Sequence, residues 1–268
     1  MSQPTGLTTL RVQNRHAGYL AVEQAPGVDS HPTPILLLHG WGVHSELMKA
    51  PAKRLAALGY RCIAPDFPGF GSTPAPPTAW TVHDYAQWTL DVCDALEMPR
   101  VHLFAHSFGA RVAMVMASRS PDRIDKIALT GAAGIPSKKS LSSSLRLSSY
   151  KTARSVLKTV GASALADRLS AWYGTRYGSA DYQAASGVMR ETFLKVVNED
   201  LSTVAAQVRH PTLLFWGALD QETPLWQGKM LEKLIPDAGL IIYEKGDHYA
   251  YLRHQVEIAR TLDYFLRH

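Results

Sequence analysis

Val101-His102-Leu103-Phe104-Ala105-His106-Ser107-Phe108-Gly109 passes from a short apolar run into a helical pattern, Phe108–Ser118, with one serine at the junction. An apolar run bounded in this way reads as a strand buried on both faces, as in a parallel sheet. A serine on so tight a strand-to-helix turn has little room beside it, so small residues are needed two positions before and two after. Ala105 and Gly109 meet that need. The turn presents the hydroxyl outward, and the helix start offers unpaired N–H groups and the positive end of a dipole. The same serine would also serve as an ordinary helix N-cap, so its surroundings decide.

Working outward, the alternation of strand and helix holds on both sides. Leu7–Val12 and Tyr19–Glu23 read as a hairpin, Pro34–His39 and Arg61–Pro65 as buried strands, and Ser45–Leu58 and Val82–Leu96 as helices. Ile124–Thr130 is a further strand. After Gly134 the rhythm breaks for roughly 70 residues, far longer than an ordinary connection. Amphipathic helical patterns fill the gap at Leu141–Val160, Ala162–Trp172 and Val188–Asn198, and the serine-rich Ser140–Ser144 belongs to the first of them or its approach. The alternation resumes with Thr212–Trp216, Leu225–Leu234, Leu240–Tyr243 and Val256–Leu266. The expected fold is α/β: a doubly wound, mainly parallel sheet formed by 1–134 and 207–268, with a helical cap inserted over 135–206.

A serine hydroxyl is a poor nucleophile until a positioned base takes its proton, and that base needs an anionic partner. Eleven histidines compete. His39 ends a strand beside a glycine and is explained by turn formation, His102 lies within a strand, and His106 adjoins the serine but should point away from it. His248 stands apart, because Gly246-Asp247-His248 falls just beyond a strand, at the carboxyl edge where open parallel sheets bind ligands. Asp220 follows the strand Thr212–Trp216 to the same edge, completing the chain order Ser107, Asp220, His248. Asp247 competes as the acid, but a sequence neighbour of the base usually points elsewhere. A developing oxyanion needs two backbone N–H groups. Those of Phe108 and of Trp41, the latter flanked by Gly40 and Gly42, are the candidates.

These pieces together resemble the α/β-hydrolase superfamily: His39-Gly40-Trp41-Gly42, Asp66-Phe67-Pro68-Gly69-Phe70-Gly71-Ser72, Ala105–Gly109, Trp216–Asp220 and Gly246–His248. The resemblance implies Ser107 as nucleophile, Asp220 as acid, His248 as base and the Trp41 and Phe108 amides as oxyanion hole. Ala105 departs from the family's usual glycine but keeps the small size, and Ala110 likewise stands where a further glycine is frequent. Relatives that open epoxides or displace halide carry aspartate at the nucleophile, so Ser107 argues against both reactions.

The chain has 268 residues, 46% of them hydrophobic, enough for one large core. Its net charge of +5 is uneven: between Asp125 and Asp167 there is no acid, while Lys126, Lys138, Lys139, Arg146, Lys151, Arg154 and Lys158 all fall there. A solvated lid face accounts for that segment better than an anionic partner. Cys62 and Cys93 sit in a strand and a helix and read as buried free thiols. No apolar run approaches the roughly 20 residues that span a bilayer, the first ten residues lack a signal-peptide core, and a reducing, cytoplasmic setting is expected. No metal-ligand cluster or phosphate-binding glycine loop implies a cofactor, and no feature defines a nucleic-acid partner.

The expected partner is a small-molecule ester, hydrolysed through an acyl-enzyme. A carbon–carbon bond hydrolase of the meta-cleavage-product type is the alternative on the same scaffold, and a ligand-binding member without catalysis is the reading from another class. Trp41, Phe108, Trp172, Met189 and Tyr249 are candidate pocket residues. With His248 as base, the rate should climb as an imidazole loses its proton between about pH 5 and 8; a flat initial-rate profile across that range would count against the assignment.

Overall fold

The two alternating segments at the start of the chain form a hairpin, β1 (Gly6–Val12) and β2 (Arg15–Val22), closed by Gln13 and Asn14. Both turn residues have positive φ, 50° and 62°, the I′ geometry whose twist suits a two-residue hairpin loop. The computed structural model describes residues 6–136, 141–177 and 179–268. β2 pairs antiparallel with β4 (Cys62–Pro65). Every further pairing is parallel, through β3 (Ile35–Leu38), β5 (Val101–His106), β6 (Ile124–Thr130), β7 (Thr212–Gly217) and β8 (Ala238–Tyr243). The strand order is β1-β2-β4-β3-β5-β6-β7-β8.

The apolar runs that form β3, β4 and β5 are buried along their whole length. Leu36 and Leu38 face one side of the sheet and Ile35 and Leu37 the other, each within its own core cluster. In chain order the first helices are α1 (Lys49–Ala56), α2 (Val82–Ala95) and α3 (Phe108–Arg119). The expected helix over Ser45–Leu58 divides into a 3-10 turn, Ser45–Met48, followed by α1. Pro51 lacks an N–H and fits only a first turn, which holds the helix start close before it. α2 begins at a reciprocal cap, in which the Thr81 hydroxyl accepts from the Asp84 N–H and the Asp84 carboxylate accepts from the Thr81 N–H.

Between β6 and β7 the described residues form α4 (Leu141–Thr159), α5 (Ser163–Tyr177), α6 (Ala180–Ala184), α7 (Gly187–Asn198) and α8 (Ser202–Ala205). α4 and α5 pack on each other, with the Tyr150 and Tyr173 rings stacked 4.1 Å apart. α7 is tied to the core. Its Phe193 packs 5.2 Å from Trp41, and its Thr192 hydroxyl accepts from the Trp80 N–H at 3.1 Å. Leu201 and Ala205, on the insertion side of the expected boundary at 206/207, are fully buried in the core. Of the basic segment, Lys126 donates to the Phe265 carbonyl at 2.8 Å and Lys151 and Lys158 are exposed. Lys138, Lys139 and Ser140 lie outside the described residues.

α9 (Leu225–Leu234), α10 (Ala250–Arg253) and α11 (Gln255–Arg267) complete the chain. α1, α10 and α11 cover one face of the sheet, while α2, α3, α8 and α9 cover the other. The short helices α6, α8 and α10 have too few residues for a periodic pattern and had no sequence signal. Cys62 and Cys93 are buried free thiols, as expected.

One carboxylate ties the loops at the carboxyl edge together. Asp66, 1% exposed, follows β4 and accepts from the Ser45 N–H at 2.8 Å, the Ser72 N–H at 2.9 Å and the Ser72 hydroxyl at 3.0 Å. Gly71, at φ 55°, lets the chain wrap this carboxylate, since a Cβ there would run into it. Burial alone would raise the Asp66 carboxyl, but these donors outweigh it and hold it below the usual carboxylate range. Asp66→Ala should therefore cost about 3 kcal/mol at neutral pH, a Tm loss of roughly 6–12 °C. Because the folded-state value is depressed, this stabilisation is full above the unfolded value of about 4 and is lost as pH falls through the folded one. Parallel melts of wild type and variant should converge toward pH 3; a constant Tm gap would overturn the account.

Candidate active site

Ser107 stands between β5 and α3 at φ 52° and ψ −110°, a conformation rare for a residue with a Cβ. Its backbone is pinned from both sides. The Ser107 N–H donates to the Thr130 carbonyl at 3.1 Å, and its carbonyl accepts from Ala110 and Ala133 at 3.1 and 3.3 Å. Gly109 allows α3 to pass against β3, because a Cβ would collide with the Leu38 carbonyl. The small residue expected two positions after the serine thus answers to a specific neighbour.

His248 and Asp220 meet at this edge although 28 residues separate them: His248 Nδ1 lies 2.8 Å from Asp220 Oδ2. Asp220 is 4% exposed and fully engaged. Its other oxygen accepts from the Glu222 and Thr223 N–H groups, both at 2.9 Å, and the Thr223 hydroxyl adds a 2.8 Å bond to Oδ2. Burial would raise the Asp220 carboxyl, but the bond and charge of His248 and the Thr223 donors hold it below the usual range. An ionised acceptor on Nδ1 fixes the imidazole tautomer that leaves Nε2 bare. Asp247 turns away, accepting from Arg253 at 2.6 Å and from the Tyr249 N–H at 3.0 Å.

Three further histidines acquire definite places. His39 is buried, donates from Nδ1 to the Gly40 carbonyl at 2.7 Å and accepts from the Phe67 N–H at 3.0 Å. Burial pulls it down to about 4, so it is a neutral brace for the loop that carries Trp41. His102 sits in β5, 5% exposed. His106, expected to point away from the serine, instead lines the same cavity, its ring 4.6 Å from that of His248. Its Nε2 donates to the His248 backbone carbonyl at 3.1 Å, and burial pulls it down to about 3, which leaves it uncharged. It therefore acts on the position of His248. Strand periodicity could not find this contact, because it depends on where a loop 142 residues away returns.

Ser107, His248 and Trp41 line one cavity, together with Tyr249, Arg111 and Thr223. The Phe108 N–H is the first of α3, where no intrahelical acceptor exists. The Phe108 ring packs behind the cavity wall, 5.3 Å from Trp41. Of the remaining pocket candidates, Met189 lies against Gly69, and Trp172 is 58% exposed on α5; neither is among the lining residues. Asp181 and Glu222, exposed residues on the rim, had no sequence signal. Partial burial and the Glu222 charge push the Asp181 carboxyl above the usual range, against the pull of His248. Among the described residues, no group of three or more His, Cys, Asp or Glu is placed to hold a metal ion. No helix of the described residues is long and apolar enough to cross a membrane.

The family described as alpha/beta hydrolase fold matches residues 33–255. The chain belongs to this family, and is by class an α/β-fold hydrolase. Among its relatives is the pimeloyl-[acyl-carrier protein] methyl ester esterase of Chromobacterium violaceum, 27% identical over 247 residues, which cover 85% of this chain and 92% of that protein. The 2-hydroxy-6-oxononadienedioate/2-hydroxy-6-oxononatrienedioate hydrolase of Cupriavidus pinatubonensis is 26% identical over 254 residues, covering 87% and 86%. Among solved structures, an esterase from Exiguobacterium antarcticum superposes with a TM-score of 0.73 at 20% identity, covering 97% of this chain and 99% of that one.

The geometry predicts a strongly downfield-shifted proton on His248 Nδ1 in the NMR spectrum, held by the charged acceptor. Asp220→Asn should move that resonance upfield or lose it to exchange; an unchanged signal would show that the proton belongs to another histidine.

Proposed function

We propose that the protein is a serine hydrolase of small to medium carboxylic esters, with Ser107, His248 and Asp220 as catalytic triad. The observation that carries this reading is His248, paired with the buried Asp220 at 2.8 Å and lining the same cavity as the strained Ser107. In the first half-reaction Ser107 Oγ attacks the ester carbonyl while His248 Nε2 takes its proton. The oxyanion that forms is held by the Trp41 and Phe108 N–H groups. As the tetrahedral intermediate collapses, the C–O bond to the alcohol breaks and His248 returns the proton to the leaving oxygen. Water, activated by the same imidazole, then releases the acid and restores the serine.

The helices between β6 and β7, spanning roughly 135–206, serve in this reading as a lid over the mouth, anchored through Phe193 and Thr192. The ester assignment draws on the C. violaceum relative, whose name is that of a methyl ester esterase. Carbon–carbon bond hydrolysis is the second reading, favoured by the similarly covered C. pinatubonensis relative. It uses the same three residues on a vinylogous diketo acid.

A fluorophosphonate probe should label the protein at Ser107 and nowhere else. p-Nitrophenyl butyrate should be hydrolysed, and Ser107→Ala should lose at least about 10³-fold in kcat. Inactivity on esters with turnover of a diketo acid selects the second reading. Absence of labelling combined with inactivity on both substrates overturns the enzyme assignment.

A further inference from the structure

Between Phe108 and Ala117, α3 is buried at every residue, and Arg111 is its one charged side chain. Arg111 is 7% exposed, and its Nη1 donates to the Glu199 backbone carbonyl at 2.9 Å. Among the described residues no carboxylate lies within 4.0 Å of the guanidinium. The nearby acids are engaged elsewhere: Glu199 pairs with His83 Nε2 at 3.1 Å, and Asp200 accepts from the Ser202 N–H and hydroxyl at 2.9 and 2.6 Å. Burial pulls the guanidinium down to about 10, which leaves it a cation at neutral pH. Glu199 and Asp200 lie near enough for their charges to favour the cation, but neither forms an ion pair with it, and proteins seldom bury a charge that is not closely paired. Arg111 lines the same cavity as Ser107.

We propose that Arg111 is the carboxylate-binding residue of this cavity and that the substrates are half-esters of short dicarboxylic acids, the free carboxylate sitting on the acyl side. The proposal rests on the ester-hydrolase reading of the same site. A guanidinium offers a planar fork that matches a carboxylate through two parallel hydrogen bonds. The orientation follows from the proton transfers. His248 must protonate the leaving alkoxide, so the alcohol departs on its side, where Asp181 and Glu222 form an acidic rim that repels an anion. The acyl chain is left to run toward Ala133, Gly134 and Arg111. Arg111 is the fourth residue of α3, and Ser107 stands immediately before that helix, so the two lie about one helical turn apart. That separation suits a carboxylate a few carbons from the scissile carbonyl, as in succinyl or glutaryl groups.

The test compares kcat/KM for mono-p-nitrophenyl glutarate and p-nitrophenyl butyrate. Wild type should favour the half-ester at least tenfold. Arg111→Met should lower the ratio of the two values by about 100-fold, and Arg111→Lys, which keeps the charge without the fork, by about tenfold. A merely structural role would depress both substrates by one factor, so an unchanged ratio overturns the proposal, as does a wild-type preference for the butyrate. If Arg111→Met fails to fold, the Arg111→Lys ratio decides by the same criterion. Glutarate binding to Ser107→Ala by calorimetry separates the two ideas. Binding weakened about tenfold in Ser107→Ala/Arg111→Lys upholds the anion site even where no ester is cleaved; no binding to Ser107→Ala, or binding that Arg111→Lys leaves unchanged, overturns it.

Discussion

Ser107 is held in a left-handed backbone conformation that its own side chain disfavours, and the architecture around it exists to keep it there. Such a conformation costs on the order of 1–3 kcal/mol. The cost is offset by three backbone hydrogen bonds, which fasten the turn to the ends of β6 and to the first turn of α3. Those bonds require β5 and β6 in register, with His106 opposite Thr130. They also require α3 to pass so close to β3 that only glycine fits at 109. The buried helix and the central strands are therefore the frame that makes the strain affordable.

The same edge of the sheet is built from loops, and loops need fixing before they can position anything. Here each is fixed by a buried polar side chain that binds backbone. Asp66 holds the segments around Ser45 and Ser72, His39 bridges Gly40 to Phe67, Asp220 orders Glu222 and Thr223, and His106 supports the carbonyl of His248. Each of these side chains bonds main chain of a loop, so loop position becomes as definite as strand position. Burial keeps the supporting histidines His39 and His106 neutral.

The cavity that results is electrically divided. Acidic side chains sit on its rim beside His248, while a lone guanidinium sits deep in it, one turn along the helix from Ser107. Trp41 lines the cavity as well, held edge-on against Phe70 and Phe108. In such a space a ligand's charges determine which way round it enters, before any chemistry begins.

Much of this was legible in the amino-acid order. Strand and helix alternation is written in local periodicity, so the sheet, the break after Gly134 and even the limits of β6 and α9 follow from neighbours along the chain. The serine turn, the Asp220 loop and the His248 loop could be brought to one edge because a parallel sheet puts all its strand ends together. What periodicity cannot express is which side chains from distant loops touch. His106 beside His248, Thr223 under Asp220, Arg111 facing a cavity and Met189 resting on Gly69 instead of lining the pocket all depend on loop paths and on the placement of the inserted helices. The sequence by itself determined the fold and the edge where chemistry-bearing residues gather, since both follow from local pattern and sheet geometry. The shape and charge of the cavity were decided only by tertiary packing, because they arise from contacts between distant segments, such as His106 and His248, 142 residues apart.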